Sequence, residues 1–186
     1  MSDAILMLRL EHGNMIHLLT AIDEQVRELE QGTPPNHELL RSIVDYISGF
    51  PDQCHHPKED LVFRKLERRA PEVAAKVDNL IEEHHQLTEL TKEFATAVAA
   101  AERKPRASSE QLADVMRRFT QRYRHHMAME EMYFFPAALD TLSRDDWAEI
   151  DFDMFDRTDP LFDDSNEESF RALRAIIARL AHPDAD

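Results

Sequence analysis

Glycine is scarce, with three residues in 186. Sheets depend on tight turns and bulges that favour glycine, and here Ala, Leu, Glu and Arg prevail, so the chain reads as all-helical. The single cysteine, Cys54, excludes an internal disulfide and fits a reducing compartment. No apolar run approaches the roughly 20 residues needed to cross a bilayer. Met1-Ser2-Asp3-Ala4 lacks the basic and apolar regions of a secretory leader, so a cytoplasmic location is expected. Positive charge is also short: 22 Lys and Arg face 37 Asp and Glu, a net −15 with neutral histidine. A surface of that sign repels nucleic acid and anionic membrane, and neither is an expected partner.

What the chain does have is four long amphipathic stretches. The first covers about Asp3 to Gln31 and stops at Gly32-Thr33-Pro34-Pro35. The second runs from about Asn36 to Arg69, with irregularities at Gly49, Pro51 and Pro57. Pro71 opens the third, which reaches about Arg103. After a loop at Lys104–Ser108, with Ser108 or Ser109 as N-cap, the fourth reaches about Ala138. Short connections between long helices predict an antiparallel up-down-up-down four-helix bundle over residues 1–142. Residues 143–186 read as a C-terminal extension, packed on the bundle or on a partner subunit of a homodimer. It begins with a capped short helix at Ser143–Trp147, continues through an acidic stretch at Asp159–Phe162, and ends in an amphipathic helix over about Glu167–Leu180.

Ten histidines are distributed over this frame, and two patterns recur in order. Glu11-His12 is followed 43 residues later by His55-x-x-x-Glu59, and Glu83-His84 is followed 42 residues later by His126-x-x-x-Glu130. Residues four apart share a helix face, so each pair aims an imidazole and a carboxylate at one point. Helical phase places His12 with Ile5, Leu8, Ile16 and Leu19, and His84 with Val77, Leu80, Ile81 and Leu87. His126 falls with Leu112, Val115 and Phe119, and His55 with Ile47, Val62 and Leu66. One histidine on an apolar stripe is commonly a core residue. Four, two of them with Glu one turn away, are another matter, because two unpaired buried carboxylates would cost several kcal/mol. Cations remove that cost.

The expected metal ligands are therefore His12, His55, Glu59, His84, His126 and Glu130. His56-x-x-x-Asp60 has the same spacing as His55-x-x-x-Glu59, and Pro51 and Pro57 blur the phase there. His56, Asp60, His85, His125 and Glu131 stand as alternates. Glu11 and Glu83 point roughly 100° from their neighbouring histidines, towards other helices or solvent. Imidazole and carboxylate without thiolate suit iron, with manganese or zinc as substitutes. Two ions bridged by Glu59 and Glu130 and by an oxide or hydroxide would each keep one open position for dioxygen, peroxide or nitric oxide. Ferritin-like sites need two Glu-x-x-His motifs, whereas only Glu82-x-x-His85 occurs near these residues.

The ordered set His12, His55-x-x-x-Glu59, His84 and His126-x-x-x-Glu130-Glu131 resembles the hemerythrin family, in its bacterial HHE cation-binding branch. Glu11-His12-x-Asn14, His55-His56-Pro57-Lys58-Glu59-Asp60 and Phe135-Pro136 add to the likeness. The resemblance implies a four-helix bundle around a non-haem di-iron centre that binds dioxygen or related small molecules. Two departures stand out. Oxygen carriers of the family have a His-x-x-x-His pair on the third helix, where this chain has Leu80 and Thr88 around His84. Their last bridging ligand is an Asp five residues after a His, where this chain has Glu130 at four and Glu131 at five. The departures point away from a pure oxygen carrier. The expected role is small-molecule binding or sensing, with a signalling or redox partner, rather than that of a dedicated enzyme. The alternatives are a di-iron redox enzyme that turns over peroxide or nitric oxide or repairs iron centres, and metal handling without redox work. Tyr123, Tyr133 and Glu131 are the candidates for proton delivery.

Overall fold

A computed structural model of the chain describes residues 2–77, 80–103, 105–154, 173 and 175. Helix α1, Asp3–Glu30, ends where Gly32 takes φ 80°, a conformation that suits glycine. The Thr33 and Gly32 amides return to Glu28 and Leu29 carbonyls at 2.9 and 3.0 Å, and Pro34-Pro35 prevents continuation. Helix α2, His37–Ile47, starts at Asn36, whose side chain accepts from the Leu39 amide at 3.0 Å.

The second predicted helix is divided. A π-helical turn at Pro51–His55 separates α2 from α3, His56–Arg69. Pro51 and Pro57 each remove an amide donor, and the backbone widens between them. The third predicted helix also differs. Pro71 opens only a short α4, Pro71–Ala74, and α5 covers Leu80–Arg103. Tight Lys76-to-Val73 and Val77-to-Ala74 amide bonds close α4.

Helix α6, Pro105–Met129, begins earlier than expected, so neither Ser108 nor Ser109 is its cap. Proline suits a first helical turn, where its missing N–H would be unpaired anyway. A second π-helical turn, Glu130–Phe134, leads into α7, Phe135–Thr141, and then α8, Arg144–Met154. No strand occurs among the described residues.

At the start of α8, Ser143 Oγ accepts from the Asp146 amide at 3.3 Å and Asp146 accepts from the Ser143 amide at 3.1 Å, a reciprocal cap. Asp151 of α8 accepts from the Ala4 amide at 2.9 Å, and Arg69 donates to Asp146 at 2.7 Å, tying α8 to α1 and α3. The acidic stretch at 159–162 and the predicted helix at 167–180 lie outside the described residues, except that Leu173 is buried in the core.

Long-range pairs show how the long helices lie. Glu30, Asp23 and Arg9 of α1 meet Arg117, Arg124 and Glu131 respectively. Along α5 and α6, Glu93 meets Arg118 and Glu83 meets Arg122. The partner numbers run in opposite order in both cases. The core falls into two apolar clusters. One gathers Leu18, Leu19, Ile22, Leu40, Ile43, Phe94, Phe119 and their neighbours. The other gathers Ile5, Leu8, Val62, Leu66, Phe134, Phe135 and Ala138. At the border between the two sets stand polar residues from each part of the bundle: Glu11-His12, His55–Glu59, His84, and His126 with Glu130.

Candidate metal centre

The central residues of the polar layer between the two clusters are buried. His12, His55, His56, His84 and His126 are all buried, and Glu59 and Glu130 expose 0% and 1% of their surface. Glu59 points one oxygen at the first pair of imidazoles and the other at the second. Its Oε1 lies 3.2 Å from His55 Nε2 and 3.5 Å from His12 Nε2, while its Oε2 lies 3.4 Å from His84 Nε2. Glu130 does the converse. Its Oε2 lies 3.3 Å from His12 Nε2, and its Oε1 lies 3.0 Å from His126 Nε2 and 3.7 Å from His84 Nε2.

The outer nitrogens of these rings are held by carboxylates. His55 Nδ1 donates to Glu11 at 2.8 Å, His126 Nδ1 to Glu83 at 3.1 Å and His12 Nδ1 to Glu131 at 3.1 Å. His84 Nδ1 sits 3.4 Å from Asp60. An ionised carboxylate can only accept, so the ring proton is fixed on Nδ1. The inner Nε2 is then free to coordinate, as in many metal sites. Glu11 and Glu83 do face neighbouring helices, where each orients the histidine of the following His-x-x-x-Glu pair. Cations back the outer carboxylates in turn: Arg122 donates to Glu83 at 2.7 Å and Arg9 to Glu131 at 2.9 Å. Lys58 donates to the second oxygen of Glu11.

Of the alternates, His56 joins the cluster. Its ring stacks on His84 with centroids 4.0 Å apart and planes 9° apart, and its Nδ1 lies 3.2 Å from Asp52. One ligand atom from each of His56, Glu59, His84 and His126 falls within 4.8 Å of the others, and so do those of His12, His55 and Glu59. The π-helical turn just before α3 lets adjacent histidines both turn inward, which a regular phase rule does not foresee. Asp60 and Glu131 stand one place beyond the central carboxylates, as outer partners. His85 and His125 are exposed and stay outside the cluster. Sequence reasoning missed Asp52, although its spacing of four before His56 was a signal, and Lys58, which carried none.

Charge balance follows from this geometry. Burial disfavours charged imidazole, yet Glu130, Glu131 and Glu59 outweigh it and hold His12 well above its usual range. Against the same penalty, Asp60, Glu130 and Glu59 raise His84 to about 11, and Glu130 and Glu83 raise His126 to about 9. Glu59 and Glu11 raise His55 less strongly. Burial prevails only at His56, pushed down to about 4 despite Asp52. Burial would raise the two central carboxyls, but the surrounding imidazoles hold Glu59 and Glu130 below the usual carboxylate range. By themselves, then, the protein groups balance two carboxylates with protons on imidazoles. Divalent cations can replace those protons.

Both oxygens of Glu59 and Glu130, with Nε2 of His12, His84 and His126, are buried and make no hydrogen bond. Buried polar atoms are seldom left so, and unpaired donor atoms that face one another fit metal ions. The family model for the hemerythrin HHE cation-binding domain matches residues 3–138. The chain belongs to the hemerythrin family. No curated protein and no solved structure matches it. In this hemerythrin-family chain, every residue of the polar layer falls within the matched span.

Three cavities adjoin the layer. One of about 10 Å³, near the size of a single water, touches Phe50, His55, His56, Tyr123 and His126. The Tyr123 hydroxyl lies 3.5 Å from Thr91 Oγ1, and burial raises this phenol so that it stays protonated. An apolar surface pocket of about 420 Å³ reaches His12 between Gly13, Ile16 and Met127. A polar pocket of about 310 Å³ reaches His56 and His84 past Asp52, Asp60 and His85. Tyr133 and Met132 are exposed on the outer surface. No helix among the described residues is long and apolar enough to cross a membrane.

Proposed function

We propose that this chain is an antiparallel four-helix bundle whose polar layer holds two non-haem iron ions and binds dioxygen or a related small molecule. His12 and His55 would hold one ion. His84 and His126, joined by His56, would hold the other, with Glu59 and Glu130 shared between them. The observation that carries this reading is the set of unpartnered Nε2 and carboxylate oxygens turned towards one another, each with its outer atom fixed or its second oxygen serving the opposite pair. Imidazole and carboxylate donors suit iron, and manganese or zinc could compete for the same atoms. Bound iron would supply reversible electron transfer to a small oxygen or nitrogen ligand.

The protein's own contribution is orientation and exclusion of water. Outer carboxylates fix the ring tautomers, and the apolar clusters above and below keep bulk water away from the layer. The Tyr123 hydroxyl on the wall of the small cavity can donate a hydrogen bond but does not release its proton near neutral pH.

The test is metal analysis with an optical spectrum of ferrous-reconstituted protein before and after exposure to air. Two irons per chain and a reversible oxygen-dependent band are expected. Rapid conversion to a ferric spectrum with turnover of added peroxide would instead indicate a redox enzyme. Zinc or a single ion without response to air would reduce the role to metal handling.

A further inference from the structure

The two halves of the layer are built on one repeat, but they are not alike. The imidazole count differs: His56, His84 and His126 cluster with Glu59 on one side, and only His12 and His55 on the other. The shared carboxylates do not offset this, since each gives one oxygen to either side.

The charge behind the rings differs in the same sense. On the His12/His55 side stand two carboxylates, Glu11 and Glu131, and each has a close cation. Arg9 pairs with Glu131 at 2.9 Å. Lys58 pairs with Glu11, has no exposed surface and sits 5.9 Å from the centre of the Phe50 ring. On the His56/His84/His126 side stand three carboxylates, Asp52, Asp60 and Glu83. Among the described residues, Glu83 has a close cation, Arg122 at 2.7 Å, Asp60 has only a long pair with the mostly exposed Arg64 at 3.8 Å, and Asp52 has no ion pair with Lys or Arg. The outer ring is thus neutral around one position and net negative around the other. Asp52 and Asp60, 37% and 23% exposed, are only partly screened by solvent, so the difference bears on any cation placed inside.

The symmetry-related places confirm where the imbalance originates. Counting from the repeated His-x-x-x-Glu pairs, His56 corresponds to Met127 and Lys58 to Met129. One substitution adds a ligand to one side, and the other adds a countercharge to the opposite side.

We infer that the centre loads in order: the first ion goes between His56, His84 and His126, and the second, more weakly held, goes to His12 and His55, with Lys58 as the residue that keeps it weak. This rests on the metal-binding reading above. Lys58 does not ligate. It neutralises Glu11 in a dry setting, where that carboxylate would otherwise add to the attraction for the second ion.

The test is an anaerobic Co(II) titration, followed by visible absorption and by competition with a chelator. The wild-type chain should bind two ions in two steps, at least tenfold apart, with distinct spectra. Lys58→Met should tighten the second step about tenfold, in line with outer-shell changes at metal sites, and lower the melting temperature of chelator-treated protein. A lysine that merely supports His55 would give the reverse, a weaker second step. If Lys58→Met does not fold, Asp52→Asn, at a half-exposed residue, gives an independent reading: it should weaken the first step and narrow the gap. Two ions bound in one step, a second step weakened by Lys58→Met, or a gap unmoved by Asp52→Asn would overturn the order while leaving the two-metal reading intact. Binding of no ion would overturn both.

Discussion

Raising the pH from 6.5 to 9 should destabilise chelator-treated protein and leave metal-loaded protein nearly unchanged. His126 is raised to about 9 and His84 to about 11, against 6.5 for an unstructured chain. A histidine whose native pKa is raised binds its proton more tightly when folded. Its stabilisation is complete below pH 6.5 and is lost as pH climbs towards the native value. Each such group gives up about 1.4 kcal/mol per pH unit. For His126 alone the loss between pH 6.5 and 9 is on the order of 3 kcal/mol, and His84 acts in the same direction. Glu59 and Glu130, held low, are ionised in both states across this window and contribute no slope. Urea unfolding followed by circular dichroism is the assay. With a slope near 2 kcal/mol per molar, the midpoint should fall by more than 1 M. Once metal has displaced the ring protons, the slope should vanish. Stability of the chelator-treated protein that is flat, or that rises, over this range would show that the buried imidazoles are neutral without metal and would refute the charge balance described above.

Further outcomes follow from the same geometry. Replacing Glu59 or Glu130 with Ala should reduce metal content to one ion or none per chain by elemental analysis; two ions in both variants would sink the shared-carboxylate assignment. Glu83→Gln should speed metal release to a chelator by about 10- to 100-fold, because His126 loses its charged partner. Phe119→Ala, at a ring packed 4.9 Å from Phe94 and 4.7 Å from Tyr123, should cost about 3–5 kcal/mol of stability without changing metal stoichiometry. Chelation should lower the melting temperature of the wild-type chain, since metal binds only the folded state with high affinity.

The helical class and the position of the central residues were legible because both depend on a period. Four-residue spacing brought His55 and Glu59, and His126 and Glu130, onto common faces, and apolar stripes chose His84 over His85 and His126 over His125. Phase failed where the backbone leaves the regular helix. The sequence favours His55 over His56 beside Pro51 and Pro57, whereas the π-helical turn there brings both inward. Helix ends followed local chemistry that competes closely: Pro105 started α6 where Ser108 or Ser109 was expected, and turns at residues 75–77 follow the short α4 in a stretch read as continuous. The burial of Lys58 depends on Glu11, 47 positions away, and no local pattern announces such a pair.

The outer ring is woven across the repeat. Glu11 serves His55 and Glu83 serves His126 within their own halves, while Glu131 serves His12 and Asp60 faces His84 across the divide. Two identical helical hairpins meeting about a twofold axis could therefore assemble the four imidazoles, the two central carboxylates and their outer partners. Such a pair would be obliged to place the same side chains at both copies of every position. Joining the hairpins into one polypeptide lifts that obligation, and His56 opposite Met127 and Lys58 opposite Met129 are differences that two identical hairpins could not hold.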